Sequence, residues 1–178
     1  MRSWHERAYD LCFVGLPSTH RIGHLETLLH SGLTLAIAGQ GWENYRGPLQ
    51  PCITHAGWTP PDEAGRLYAN SRMAVNLCME DPGSEATDDQ LSPRVYDAIA
   101  CGASLLTERL AQNAEALAGL SYNEFRGPTD LLQLARRLST QGTPDNAQQE
   151  NSAAISQRHL LHHRLRQLSS TMDALFPR

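Results

Sequence analysis

The sequence has no excess of positive charge, no closely paired cysteines and no long apolar run. Its 19 acidic residues outnumber 15 basic ones, for a net charge of −4. That balance excludes a dedicated nucleic-acid binder and a protein held by charge on an anionic membrane, while leaving room for a local basic site for phosphate. The four cysteines, Cys12, Cys52, Cys78 and Cys101, make no CxxC pair. Cys12, Cys78 and Cys101 sit in apolar runs, as small buried hydrophobes do in a reducing compartment. A chain of 178 residues needs neither disulfides nor a structural metal, because folding buries roughly 70% of its surface. No apolar stretch approaches the ~18 residues of a membrane span, and the opening MRSWHERAYD is polar, unlike a leader. A soluble, cytoplasmic protein with no membrane span is the expectation. Internal repeats and a GxGxxG fingerprint are also missing.

What is present is alternation. LCFVG (residues 11–15) reads as a buried strand running into a glycine turn. The following segment repeats Ile22, Leu25, Leu28 and Leu29 at helical spacing, with Ser18 or Thr19 as cap and Gly32 as stop. LTLAIAGQGW is a second strand and CITHAGW a short third. TPPDEAGRLYANS carries Thr59 as cap, prolines at a helix start, and Asp62 and Glu63 in the first turn. MAVNLCM is a fourth strand. Residues 80–91 hold five carboxylates and turn chemistry, and are expected as a loop. A helix capped by Ser92 with Pro93 at its first position follows, then the strand ASLLT. LAQNAEALAG is a helix, NEFRG a weak sixth strand, and PTDLLQLARRLS a helix capped by Thr129. TQGTPDNAQQ reads as a polar connector. Leu161, Leu165, Leu168, Met172 and Leu175 then mark a long amphipathic helix expected to lie on the body of the domain.

Continuously apolar strands alternating with helices predict an α/β fold: a doubly wound, Rossmann-like parallel sheet of about six strands covered on both faces. Residues 1–178 are expected as one such domain, with 1–9 a linker, 10–140 the core and 141–178 the C-terminal helices.

Ligands of such folds bind beyond the carboxyl ends of the strands, where the helix starts also lie. That edge collects Gly15 to Arg21, Gly39 to Trp42, the Gly57 turn, residues 80–91, Ser92 to Asp97, and Thr107 to Arg109. Gly32, Asn70 to Arg72 and Gly102 fall on the far edge. Glycine admits close approach to the backbone, and helix starts offer free N–H groups to phosphate. Gly15 with Arg21 could make one phosphate contact and Ser92 with Arg94 another, although Gly15 could equally serve an ordinary turn. Arg94 and Asp97 share a helix face. Either they form an i,i+3 ion pair worth a few tenths of a kcal/mol, or they divide the work, Arg94 on phosphate and Asp97 on sugar hydroxyls. An arginine at a helix start is electrostatically unfavourable unless an anion meets it.

The run Arg94-Val-Tyr-Asp97-Ala-Ile-Ala-Cys101-Gly102 followed by ASLLTE resembles the core motif of CgeB-type (spore-maturation-protein-like) glycosyltransferases, a branch of the glycosyltransferase group 1 superfamily with the GT-B fold. YDLCFVG with Arg21, LAIAGQGW, YANSRMAVNL and HLLHHR (159–164) are similar, in order, to further segments of that family, and together they cover most of the chain. The resemblance implies the C-terminal, donor-binding domain and a nucleoside diphosphate sugar (nucleotide-sugar) as donor. It implies that Asp97, in place of the commoner Glu, binds the donor ribose, that Asp89 stands where related families carry a second acid near the sugar, and that Arg94 stabilises the diphosphate. Positioned cations and helix starts can stabilise that leaving group without a metal or other cofactor. A GT-B enzyme also needs an acceptor-binding domain or subunit, so this chain alone is expected to be incomplete for catalysis.

Other residues have plainer readings. His159, His162 and His163 lie together, with 159 and 163 an i,i+4 pair, but no carboxylate or cysteine accompanies them, and no metal is expected. Cys101 lies at the far end of its helix and reads as structural. Trp42 and Trp58 could each stack on a base or sugar, or pack. Two rival functions remain at this point: a non-catalytic interaction module of the same fold, and a GT-B-type nucleotide-sugar epimerase. A response-regulator domain is disfavoured, since no acidic cluster follows the first strand and no lysine the fifth.

Overall fold

A computed structural model describes residues 3–80, 91–142 and 145–176. Six parallel strands form one sheet: β1 (Tyr9–Val14), β2 (Leu35–Ala38), β3 (Ile53–His55), β4 (Ser71–Asn76), β5 (Ser104–Glu108) and β6 (Asn123–Phe125). Their order is β3-β2-β1-β4-β5-β6, with every neighbouring pair parallel. Strand order therefore reverses between β1 and β4. Crossovers leaving those two strands diverge to opposite sides and open a crevice at their carboxyl ends. The expected α/β Rossmann-like sheet is the one observed.

Helices cover both faces. They are α1 (Thr19–Leu28), α2 (Pro61–Ala69), α3 (Arg94–Ala100), α4 (Asn113–Ala116), α5 (Gly127–Gln141), α6 (Asp145–Arg158) and α7 (Leu161–Leu175). The strands alternate in side-chain size as well as direction. Leu11, Phe13, Ile37, Met73, Val75 and Leu106 pack toward Leu25, Leu28, Leu131 and Leu134 of α1 and α5. Cys12, Ala36, Ala38 and Ala74 face the other way, against Tyr68 of α2 and Ala98 of α3. One face is thus filled by large side chains. The other carries mostly small ones, with Val14 and Leu105 the larger exceptions. A third cluster joins Val95 and Ile99 of α3 to Leu105, Leu117 and Ile155 of α6.

Several expectations shift. Residues 3–8 are no linker: Trp4 is buried in the core, and the buried Arg7 guanidinium donates from Nη1 to the carbonyls of Ser71 (2.7 Å) and Gly102 (2.8 Å). That bond set ties the chain start to the far edge of the sheet. Helix α2 begins at Pro61 with Pro60, not Thr59, as its boundary residue; Thr59 Oγ1 instead donates to the Gly57 carbonyl. Helix α5 begins at Gly127, so Thr129 lies inside its first turn and Asp130 accepts the Arg126 N–H at 2.7 Å. The polar connector is largely helical, because α5 extends to Gln141 and α6 starts at Asp145. Polar pins hold α6 in place. Asn151 exchanges two hydrogen bonds with the Ser121 backbone, Ser152 Oγ donates to the Ala100 carbonyl, and Gln148 accepts from Arg7. The stripe on α7 does not lie on the body: Leu165, Leu168, Met172 and Leu175 are exposed. The break between α6 and α7 at His159–Leu160 turns that face outward.

Candidate functional site

The switch-point crevice is built from the end of β1 upward. Val14 runs into Gly15, whose N–H donates to the Ala38 carbonyl (2.9 Å) and whose own carbonyl accepts Trp42 Nε1–H (2.8 Å). Trp42 is fully buried, edge-on to Phe13 and Tyr45, so it braces the loop and is unavailable for stacking on a ligand. Gly39 presses on the same carbonyl. A Cβ there would lie 2.1 Å from Gly15 O, and its φ of 147° already favours glycine. The two glycine loops after β1 and β2 are therefore locked together.

Ser18 caps α1 by accepting the Arg21 N–H at 3.2 Å. The Arg21 side chain then crosses the crevice floor. Its guanidinium donates to the carbonyls of Leu16 (3.0 Å), Leu77 (2.9 Å) and Cys78 (3.0 Å) and stacks 5.5 Å over the Phe13 ring. Expected as a phosphate ligand, Arg21 acts here as a strut between the β1 loop and the end of β4, while still placing a positive charge in the crevice. Burial, with the nearby Arg94 charge adding to it, lowers its pKa from the usual arginine value.

On the opposite wall, Ser92 Oγ accepts the Arg94 N–H at 3.3 Å, two residues on, and the helix begins one residue later than expected, at Arg94. Arg94 is exposed. It lines a cavity of about 130 Å³ with Gly15, Gly39, Gln40, Trp58 and Thr59. An adjoining narrow slot is lined by Arg21, Asn76, Leu77, Ser92 and Arg94. Among the described residues Arg94 makes no ion pair, with Asp97 or any other acid. Two guanidinium groups thus converge on one small crevice, which suits a polyanion. All 15 basic residues of the chain are arginine, the residue whose planar fork matches phosphate oxygens.

Asp97 lies one turn along α3, exposed at its outer surface. Partial burial raises its carboxyl pKa above the ordinary value, and Arg94 opposes that shift. Of the sequence-predicted residues, then, Gly15, Gly39 and Arg94 share one cavity, Arg21 and Ser92 meet Arg94 in the slot beside it, and Asp97 stands just outside. Asp89, with most of the acidic segment 80–91, lies outside the described residues. Trp58 is 69% exposed at the rim, in position to meet a planar ligand.

The histidines expected to share a face do not: His159 follows the end of α6 and stacks on Tyr96, while His162 and His163 belong to α7. Cys101 stays at the far end of α3, and burial pushes its thiol pKa up, as for a structural cysteine. Sequence reasoning missed a different group, His20, His24 and Glu108, which meet at a second cavity beside β5 and β6. An i,i+4 histidine pair on α1 was its only local signal.

A parallel sheet with this strand order is a Rossmann-like fold, and it matches one half of glycosyltransferases of the GT-B fold. HepE from Anabaena, solved with UDP and glucose, superposes with a TM-score of 0.62 at 14% identity, over 94% of this chain and 49% of that one. Sucrose-phosphate synthase from Thermosynechococcus elongatus gives 0.60 at 11% identity, over 95% and 47%. The T4 phage BGT enzyme in complex with UDP and Mn2+ gives 0.52 at 13%, over 85% and 46%. The chain spans about half the length of these proteins, and at such identities the likeness is one of fold. No curated protein sequence matches it. A family model described as glycosyl transferase-like matches residues 21–170, and the chain belongs to that family. Among the described residues no helix is long and apolar enough to cross a membrane.

Proposed function

We propose that this chain is the donor-binding half of a cytoplasmic glycosyltransferase of the CgeB type, which takes a nucleoside diphosphate sugar and delivers its sugar to an acceptor held by a second domain or subunit. The observation that carries this reading is the convergence of Gly15, Gly39 and Arg94 around one cavity at the β1–β4 switch point. The glycines let a diphosphate approach the β1 and β2 loops. Arg94 meets its oxygens, and Arg21 adds charge from beneath. Trp58 stacks on the base, Asp97 accepts hydroxyl hydrogens of the ribose, and Asp89 serves the sugar.

Transfer breaks the bond from the anomeric carbon to the diphosphate, which departs with the electron pair. Arg94, already in place before reaction, stabilises that developing charge without a metal at the diphosphate. That HepE and the phage enzyme were each solved in complex with UDP supports a nucleotide as ligand of this fold. The exposed apolar stripe of α7 supports an additional surface that covers it, which the acceptor-binding part would supply.

Calorimetric titration with UDP, GDP and their sugars tests the reading. Binding by one of the nucleotides, lost in Arg94→Ala, is the expected result. A folded protein that takes up none of them at millimolar concentration would overturn it.

A further inference from the structure

On the β5–β6 side of the crevice, the start of α1 and the ends of β5 and β6 enclose a second cavity, of about 460 Å³. His20, His24 and Glu108 meet on its wall. His20 Nε2 lies 2.7 Å from Glu108 Oε1, and His24 Nε2 lies 3.7 Å from the same oxygen. One ligand atom from each residue falls within 4.8 Å of the others. The two histidines stand one helical turn apart on α1 and present the same face. His24 is 5% exposed and Glu108 3%.

Hydrogen bonding fixes the chemistry of these atoms. His24 Nδ1 sits 2.9 Å from the His20 carbonyl, which can only accept, so Nδ1 carries the hydrogen. The neutral ring then offers a bare lone pair at Nε2. That atom is buried and has no hydrogen-bond partner among the described residues. It points toward a carboxylate oxygen, which is also an acceptor. Glu108 Oε1 is met by His20 Nε2 in a 2.7 Å hydrogen bond, which leaves His24 Nε2 as the unmet atom; a cation that displaces the proton between His20 and Glu108 would satisfy all three. Glu108 Oε2, meanwhile, accepts the Cys78 N–H at 2.5 Å, which aims Oε1 at the histidines. A backbone carbonyl on the far nitrogen of a histidine and a backbone amide on the far oxygen of a carboxylate are the outer bonds that orient metal ligands.

We propose that His20 Nε2, His24 Nε2 and Glu108 Oε1 bind a divalent transition-metal ion of the zinc class, with a fourth position open to the cavity. Two imidazoles and one carboxylate suit zinc and its neighbours, and suit magnesium or calcium poorly. Metal–ligand distances of about 2.0–2.2 Å around a tetrahedral ion require neighbouring ligand atoms a little over 3 Å apart. The observed 2.7 and 3.7 Å bracket that spacing, so small side-chain rotations complete the site. Phe125 walls the inner side, its ring centroid 6.1 Å from that of His24, and limits water there. Two arginines also line the cavity, Arg109, whose charge Glu124 offsets at 2.9 Å, and Arg126. The site is distinct from the Arg94 crevice, so it leaves the metal-free handling of the diphosphate unchanged. Its open position faces the cavity, where it would take an oxygen or nitrogen ligand.

Titrating the intact chain with Co2+ alone tests this independently of any nucleotide. The expected result is one equivalent bound, with the intense visible absorption of a four-coordinate ion, displaced by Zn2+. His24→Ala and His20→Asn should each weaken binding by about tenfold or more, whereas His162→Ala on α7 should change nothing. Glu108→Gln should do the same as the α1 variants, but Glu108 also holds the Cys78 amide. His20→Asn, which leaves that bond and the His20 carbonyl in place, keeps the test valid if Glu108→Gln fails to fold. Absence of binding at micromolar Co2+ and Zn2+, or binding that persists unchanged in His20→Asn and His24→Ala, would overturn the proposal.

Discussion

Trp42 reaches across from the β2 loop to hydrogen-bond the Gly15 carbonyl at 2.8 Å, so the glycine turn at the switch-point crevice is held by a fully buried side chain. Replacing Trp42 with Phe keeps most of the packing but leaves a buried carbonyl without its donor. A loss of about 1–3 kcal/mol is expected. Urea denaturation would measure it, and calorimetry should show weaker nucleotide binding even in the protein that remains folded.

Gly39→Ala should be more damaging than its size suggests. The added methyl meets Gly15 O at 2.1 Å and forces a residue with a side chain to adopt positive φ. Strain of that kind costs about 1–3 kcal/mol before any clash is counted. A thermal melt should fall by at least ~4 °C, given ~2–4 °C per kcal/mol in a chain of this size.

Arg21 and Arg94 should separate cleanly. Arg94→Ala removes an exposed cation with no ion-pair partner among the described residues, so stability should move by no more than ~0.5 kcal/mol. Nucleotide affinity should fall by about tenfold or more, the scale of a lost charge-assisted hydrogen bond. Arg21→Ala strips three backbone carbonyls of their donor and should cost stability first. Paired denaturation and calorimetry on the two variants would distinguish the ligand-facing arginine from the strut.

Asp97 gives a pH signature. Its carboxyl pKa is raised in the folded protein, so the folded state holds the proton more tightly than the unfolded chain. That contribution to stability is fully present below the unfolded-state value and is lost as pH rises through the folded one. At neutral pH the charged form is therefore slightly unfavourable. Asp97→Asn should melt at the same temperature as the parent or higher at pH 7, with the advantage disappearing in acid, while nucleotide binding weakens. A variant that loses stability at pH 7 would argue for a structural carboxylate instead.

Trp58 should report occupancy. It is exposed at the crevice rim, and a base stacked on it would quench its fluorescence. Trp58→Ala should abolish that change and reduce affinity without moving the melting temperature by more than a degree or two.

The sheet was legible because burial on both faces leaves a local mark: LCFV and LAIA are apolar without interruption, and Leu105 and Leu106 form the centre of ASLLT. The crevice was legible through the glycines and arginines that cluster after those runs. What local pattern could not reveal was long-range polar bonding. Arg21 looked like a ligand because nothing near it in the chain shows that its partners are carbonyls 56 and 57 residues away. Helix α6 carries no apolar stripe, since Asn151, Ser152 and Gln148 attach it through hydrogen bonds, and its first five residues read as part of a polar connector. The α7 stripe was legible as a stripe, but a stripe does not name what it packs against. His20 and Glu108 are 88 residues apart, and only the adjacency of α1 and β5 brings them together.

The small-residue face of the sheet governs more than packing. Arg94 begins the helix that packs on Ala74 of β4 and Leu105 of β5 through Ala98, Val95 and Ile99, while Gly15 and Gly39 extend the neighbouring strands. The height of α3 beside the crevice is thus tied to the size of side chains a layer below it. Enlarging Ala74 to valine would press on α3 without altering any residue that lines the cavity shared by Gly15, Gly39 and Arg94. If the proposed nucleotide-sugar binds there, its fit can therefore drift through the foundations of the site while the contact residues stay the same.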